Sequence, residues 1–269
     1  MKYFYSYFKI LAKKIINIPF QQYTPVNPRH DDLYVVSYPK SGATWVDFIL
    51  ANINIQMSNL SDVVNFFSIH RYIPDIHDNR DINNLTTCFP GFRIIKSHSE
   101  FNPEYKYVVY IIRDPRDVMI SYFHFCTQLN SYSDTIGSFI RSKKYGIRNW
   151  VSHVDKWFND SLESTRFIYI RYEDLKLDPY KTISYLYDQI GLVVPREVLE
   201  NAILRSSFNE MKRMEKSYDY GGRRFSQKFN FMRNGKSGSW VNSLDQDDIS
   251  YINFYAKKWL IHFNYMQEQ

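Results

Sequence analysis

Short apolar runs alternate with polar stretches along the chain, and four of the runs have strand length. Residues 33–36 (LYVV), 92–95 (FRII), 107–112 (YVVYII) and 167–170 (FIYI) are almost continuously apolar. Runs of this kind suit strands buried on both faces and are too short for buried helices. Between and after them the apolar residues fall at helical spacing. Trp45, Phe48 and Ile49 predict a helix opening near Thr44 and running through about residue 54, and Val118, Tyr122 and Phe125 predict another. Further helices are predicted over residues 180–190, 195–204 and 246–263. Helical crossovers between strands impose a parallel sheet. The expected fold is therefore α/β: a single domain, residues 1–269, with a central parallel sheet flanked by helices. Its motif-bearing core covers about 33–241, with residues 1–30 as an extension or docked N-terminal helix.

Polar residues recur just past the predicted strand ends: Lys40 after the first, Lys96-Ser97-His98 after the second, Arg113 after the third, Tyr172 after the fourth. Open parallel sheets bind ligands at that carboxyl edge. The stretch 33–50 reads as strand, tight loop and helix start. Pro39 fixes one backbone angle, and Gly42 admits conformations closed to other residues. Such a loop presents unpaired backbone N–H groups and a helix dipole to an anion, and Lys40 adds a full positive charge. The Walker A spacing GxxxxGK[ST] is absent, because the lysine precedes the glycine. The predicted strand-flanking region 55–90 is polar and reads as an excursion over one end of the sheet, with His70 and His77 as surface residues rather than ligands. Residues 218–240, rich in Gly, Arg and Lys, are expected to fold over a cofactor as a loop.

The composition narrows the function classes without choosing among them. The 269 residues are 44% hydrophobic and 23% charged, a globular balance. A net charge of +6 favours anionic partners, among which nucleic acid, anionic lipid and a phosphorylated cofactor all fit. Two cysteines, Cys88 and Cys126, offer neither a disulfide framework nor a CxxC pair, and the seven histidines lack metal-ligand spacing. No metal is expected. Lys9, Lys13 and Lys14 interrupt every apolar run of the N-terminus, so no integral membrane span is predicted there and a cytoplasmic location is expected.

Tyr38 to Trp45, YPKSGATW, resembles the 5′-phosphosulfate loop of the cytosolic-type sulfotransferases, which use 3′-phosphoadenosine 5′-phosphosulfate (PAPS). Ala43 stands where that family usually has Thr, which removes a hydroxyl and leaves the backbone donors. The resemblance implies cofactor contacts from Lys40, Ser41, Gly42, Ala43, Thr44 and Trp45. Lys96-Ser97-His98 is similar to the family's Lys-Thr-His, and implies His98 as general base, Lys96 on the sulfuryl oxygens and Lys40 on the leaving phosphate. An imidazole titrates near neutrality and suits removal of a hydroxyl proton. Residues 113–122 (RDPRDVMISY) resemble the family's 3′-phosphate segment, implying Arg113 and Ser121. Arg116 stands at a position usually lysine. Tyr172 and Ser206 are implied on the nucleotide, and Phe208 would sandwich adenine with Trp45. Residues 231–240 (FMRNGKSGSW) resemble the segment closing on the 3′-phosphate, implying Arg233, Asn234 and Gly235. Asn234 replaces a lysine, and Ser239 stands where aspartate is common. The family's dimerisation pattern KxxxTVxxxE is absent after Trp240, leaving the oligomeric state open.

The resemblance implies transfer of a sulfuryl group to a small hydroxylated acceptor by in-line displacement, leaving 3′-phosphoadenosine 5′-phosphate (PAP), with no nucleic-acid partner. Two rivals remain at this point. A P-loop-related nucleotide kinase would need a Walker lysine and a magnesium-holding hydroxyl. A non-enzymatic nucleotide or nucleic-acid binder would use the basic surface and be indifferent to His98.

Overall fold

The computed structural model describes residues 22–66, 68–82, 91–161, 165–217, 232 and 235–268. Four strands form one all-parallel sheet: β1 (Asp32–Ser37), β2 (Arg93–Ser97), β3 (Tyr107–Ile112) and β4 (Arg166–Arg171), in the order β2-β1-β3-β4. All four predicted strands are present: β3 matches its predicted span, β1 and β4 each gain one residue at both ends, and β2 starts one residue later and runs two residues further than predicted. Every residue of β1 and β2 is buried, because helices cover both faces. That is why these strands read as continuous apolar runs. β4 is the edge strand, and its outer positions Arg166 and Tyr169 are exposed.

Side-chain alternation divides the core in two. Tyr34, Val36, Ile95, Val108 and Tyr110 face helices α3 (Pro115–Gln128), α5 (Ile147–Asn159) and α10 (Gln246–His262). Leu33, Val35, Ile94 and Val109 face α1 (Ala43–Met57), α7 (Pro179–Ile190) and α8 (Arg196–Arg205). The remaining helices are α2 (Ile69–Tyr72), α4 (Ile136–Arg141), α6 (Tyr172–Leu177) and α9 (Phe208–Ser217). After β1 the chain goes to β2 on one side and returns to β3 on the other, so α1 and α3 leave on opposite faces. The carboxyl ends of β1 and β3 therefore open a crevice at the switch point of the sheet.

The two edges of the sheet are chemically different. At the amino edge Arg93 donates from Nε and NH2 to both oxygens of Asp32, at 2.6 and 2.8 Å, with both side chains buried. At the outer edge of β2, residues 74–76 add a fragment of a fifth strand: Lys96 N–H donates to Pro74 O at 2.9 Å and Ile76 N–H to Lys96 O at 3.1 Å. No helix among the described residues is long and apolar enough to cross a membrane. Cys126 is buried in α3, and burial pushes its thiol up to about 12; Cys88 and residues 1–21, including the expected N-terminal helix, lie outside the described residues.

Candidate active site

Between β1 and α1 the backbone takes two left-handed steps, Lys40 at φ 72° and Gly42 at φ 103°. A lysine in that region costs about 1 kcal/mol or more and persists only where its surroundings hold it. Gly42 is required twice over, since a Cβ there would also lie 2.5 Å from Cδ2 of Tyr172. Helices α3, α7 and α10 are capped by the carboxylates of Asp114, Asp178 and Asp245. Helix α1 has no side-chain cap and no acidic residue in its first turn. Its leading amides at Gly42, Ala43 and Thr44 are left for an external acceptor. Lys40 is drawn into this loop, where burial, then Lys96 and Arg113, push its ammonium down to about 7.

Arg113 leaves the end of β3 and donates to the carbonyls of Lys40 at 3.3 Å and Lys236 at 3.1 Å. Its guanidinium lies 4.3 Å above the Tyr172 ring, and it has no carboxylate partner among the described residues. The neighbouring acids are committed elsewhere. Asp114 holds Arg116 Nε and NH2 at 2.9 and 2.7 Å, and Arg116 stacks 3.8 Å from the Trp240 ring centre. Asp117 accepts from Gly238 N, Ser239 Oγ and Trp240 N at 2.6, 2.8 and 3.1 Å. Asp117 thus fastens the far end of the 235–240 segment to α3. Ser239 supplies a donor to Asp117 where an aspartate would set two carboxylates together.

The aromatic groups converge on the same crevice. Trp45 meets Tyr172 edge-on at 5.9 Å. Gly235, at φ 54°, passes so close to Phe208 that a Cβ would lie 2.5 Å from Cδ2 of that ring. Ser121 lies one helical turn from both Asp117 and Phe125, whose ring is 4.3 Å from Lys40 Nζ. Ser206 is fully buried, and its Oγ accepts from Asn52 Nδ2 of α1 at 3.1 Å. Arg233 and Asn234 lie outside the described residues.

Three donors in this crevice are shielded from solvent without a hydrogen-bond partner among the described residues: Ser41 Oγ, Trp45 Nε1 and Arg113 Nε. Buried donors are rarely left so, and each lost bond costs about 1–3 kcal/mol. The residues present therefore fit an anionic nucleotide with its own acceptors. Among the described residues no group of three or more His, Cys, Asp or Glu is placed to hold a metal ion.

His98 begins where β2 stops. Its Nδ1 lies 2.8 Å from the carbonyl of Ser37, the last residue of neighbouring β1. A carbonyl only accepts, so Nδ1 carries the proton and Nε2 keeps its lone pair. Burial, reinforced by Lys96, pushes the imidazole down to about 3, so the ring is neutral throughout the physiological range. Lys96 lies beneath it with Nζ 3.4 Å from Asp75 and 3.8 Å from Asp47. Burial opposes its charge, but these two acids prevail and its pKa is raised. The same burial lifts Asp47 to about 7.

One expectation is corrected. His77 is not a surface residue: it is buried, and its Nε2 accepts the His98 N–H at 2.8 Å. His70 is half-buried, and burial pushes it to about 4. The region carrying both looked polar enough for a surface excursion, yet its segment 74–77 is pinned to β2. His77, Asp47, Asp75 and Asp117 carry no local signal of such roles, because each acts on a partner 21 to 123 residues away.

The sulfotransferase domain model matches residues 30–264. Rat sulfotransferase 2A6 is 30% identical over 237 residues, covering 80% of this chain and 79% of its own, and dog sulfotransferase 1A1 is 30% identical over 234 residues, covering 78% and 77%. Among solved structures, retinol dehydratase in complex with androsterone and PAP superimposes with a TM-score of 0.65 at 19% identity, covering 93% of this chain and 85% of that one. Mouse sulfotransferase SULT7A1 complexed with PAP gives 0.63 at 20% identity, covering 94% and 90%. These two share the fold. With the domain model spanning most of its length, this chain belongs to the sulfotransferase family and is a sulfuryl-group transferase.

Proposed function

We propose that the chain transfers a sulfuryl group from PAPS to the hydroxyl of a small, largely apolar acceptor, with His98 as general base. The observation that carries this reading is the convergence of three unpartnered buried donors, Ser41 Oγ, Trp45 Nε1 and Arg113 Nε, with an uncapped helix N-terminus at the switch point. The solved relatives named above hold PAP, and one also holds androsterone, which supports the donor and the acceptor class. Family membership sets aside the nucleotide-kinase and non-enzymatic readings.

PAPS supplies the activated sulfuryl group, passed in line to the acceptor oxygen, and PAP leaves. The amides at the start of α1 and Ser41 bind the 5′-phosphate. Arg113 and Ser121, with Arg233, Asn234 and Gly235 from the closing segment, take the 3′-phosphate, and Arg forks onto phosphate oxygens in pairs. Tyr172, Trp45, Phe208 and Ser206 frame the adenine. Lys40 gains charge as anion approaches, neutralising the developing negative charge on the leaving oxygen. His98 Nε2 receives the acceptor's proton, and the neighbouring anion favours the protonated ring at that moment. Lys96, held by Asp47 and Asp75, contributes positive potential toward the sulfuryl oxygens.

The test is transfer of labelled sulfate from PAPS to a panel of phenols, sterols and aliphatic alcohols, with PAP binding measured in parallel. Sulfated product and a bound PAP are expected. A folded protein that binds PAP and sulfates none of these alcohols and phenols, but does sulfate amines or carbohydrates, would overturn the acceptor class alone.

A further inference from the structure

We propose that His77 is a positioning residue for His98, fixing its main chain so that Nε2 points at the acceptor oxygen; this rests on the reading of His98 as base. In the ladder between β2 and residues 74–76, Lys96 N–H donates to Pro74 O and Ile76 N–H to Lys96 O. A parallel ladder continued by one step would send the His98 N–H to the carbonyl of Ile76. The His77 imidazole takes that place instead, accepting the His98 N–H on Nε2 at 2.8 Å. The ladder thus ends on a side chain, and β2 ends at the residue before the base.

The other side of the same residue is held by a second imidazole. His153 Nε2 lies 3.0 Å from Ser99 O and 3.3 Å from His98 O, while its Nδ1 accepts from Tyr110 OH at 2.8 Å. Trp157 Nε1 also donates to Ser99 O at 3.0 Å. Carbonyls only accept, so His153 carries its proton on Nε2, and His77, accepting on Nε2, carries its own on Nδ1. His98, donating to Ser37 O, is an Nδ1–H tautomer. Three neutral histidines in defined tautomers therefore meet around the main chain of residue 98, with His77 and His98 ring centres 6.0 Å apart and only 22° from parallel. His77 also fixes the segment carrying Asp75 to the base, through its own N–H to Asp75 Oδ1 at 3.0 Å. Loss of the His77 acceptor leaves the His98 N–H buried and unpaired, and small misplacements of a base are costly in rate.

The experiment compares His77→Leu, which removes the acceptor, with His77→Gln, whose Oε1 can restore it, in the full chain. His77→Leu is expected to lower kcat about 10- to 100-fold with KM for PAPS and Kd for PAP within about twofold of wild type, and His77→Gln to recover most of the loss. Nitrogen-15 spectra of the imidazoles should show His77 and His98 as Nδ1–H and His153 as Nε2–H, with the His98 pattern disturbed in His77→Leu. Wild-type kcat in His77→Leu, equal loss in both variants, a matching loss of PAP binding, or an Nε2–H tautomer at His77 would each overturn the proposal. A His98→Ala control separates the two claims: if it keeps full activity the base reading fails, whereas the tautomer pattern tests the clamp independently of turnover.

Discussion

Lys40 is the residue whose charge the fold makes most conditional. Half-buried and desolvated near Lys96 and Arg113, it titrates near 7 rather than at its ordinary 10.5. A phosphate bound against it raises that value again, so binding draws in a proton wherever free Lys40 is neutral. PAP affinity should therefore fall as pH rises above about 7, and binding at pH 8 should take up a proton, read from calorimetry in buffers of different ionisation enthalpy. Lys40→Met should weaken binding and remove this slope; a slope unchanged in the variant would contradict the assignment. The histidines work in the opposite sense. His98, His70 and His153 titrate at about 3, 4 and 4, all below their ordinary 6.5. They are neutral when folded and charge on unfolding, so stability is intact above pH 6.5 and is lost as pH falls toward 4. Asp47, raised to about 7, opposes them by releasing a proton on unfolding. Near pH 5 these four groups leave a net uptake of about two protons on unfolding, which pH-dependent denaturation measures. His98→Ala should lower transfer about 10²- to 10⁴-fold while PAP still binds.

At the scale of elements, polar groups at the two edges of the sheet have different duties. Arg93 and Asp32, buried at the amino edge, are structural. Arg93→Leu should destabilise the fold by about 3–5 kcal/mol, seen as an earlier denaturation midpoint, with PAP affinity of the folded fraction unchanged. The carboxyl edge gathers Lys40, His98, Arg113 and Tyr172, and their places near the strand ends were legible from pattern, although β2 runs two residues past its predicted end, to Ser97. They were legible because a strand, a turn and a helix start are written in neighbouring residues. The partners that tune them were not, because Asp47, Asp75 and His77 reach the site only after helix and loop have packed on β2. Polar residues at 55–90 suggested surface, whereas His77 and Asp75 are buried because β2 has an edge to cover. The start of α1 was placed within a residue, yet only the structure shows that it lacks the carboxylate cap three other helices have. Gly235→Ala should push against Phe208 and a left-handed backbone, weakening PAP binding without lowering the melting temperature of the unliganded chain.

For the whole molecule, the order β2-β1-β3-β4 places the loop after β1 and Arg113 after β3 on one crevice, where the proposed bisphosphorylated ligand would meet both. In the proposed reading β1 provides the loop for one phosphate, β3 provides Arg113 for the other, and β2, on the far flank of β1, delivers the base. Asp117 and Arg116 then tie the 235–240 segment back over α3. A ligand gripped in this way stabilises the native state by mass action, so saturating PAP should raise the melting temperature. The most direct measurement is calorimetric titration of PAP into the folded wild-type chain and into Arg113→Ala. One PAP is expected per chain, bound about 10- to 100-fold more weakly by the variant, the loss of a charge-assisted pair of hydrogen bonds. A folded wild-type protein that takes up no PAP, or an Arg113→Ala variant that binds it as tightly, would contradict this expectation.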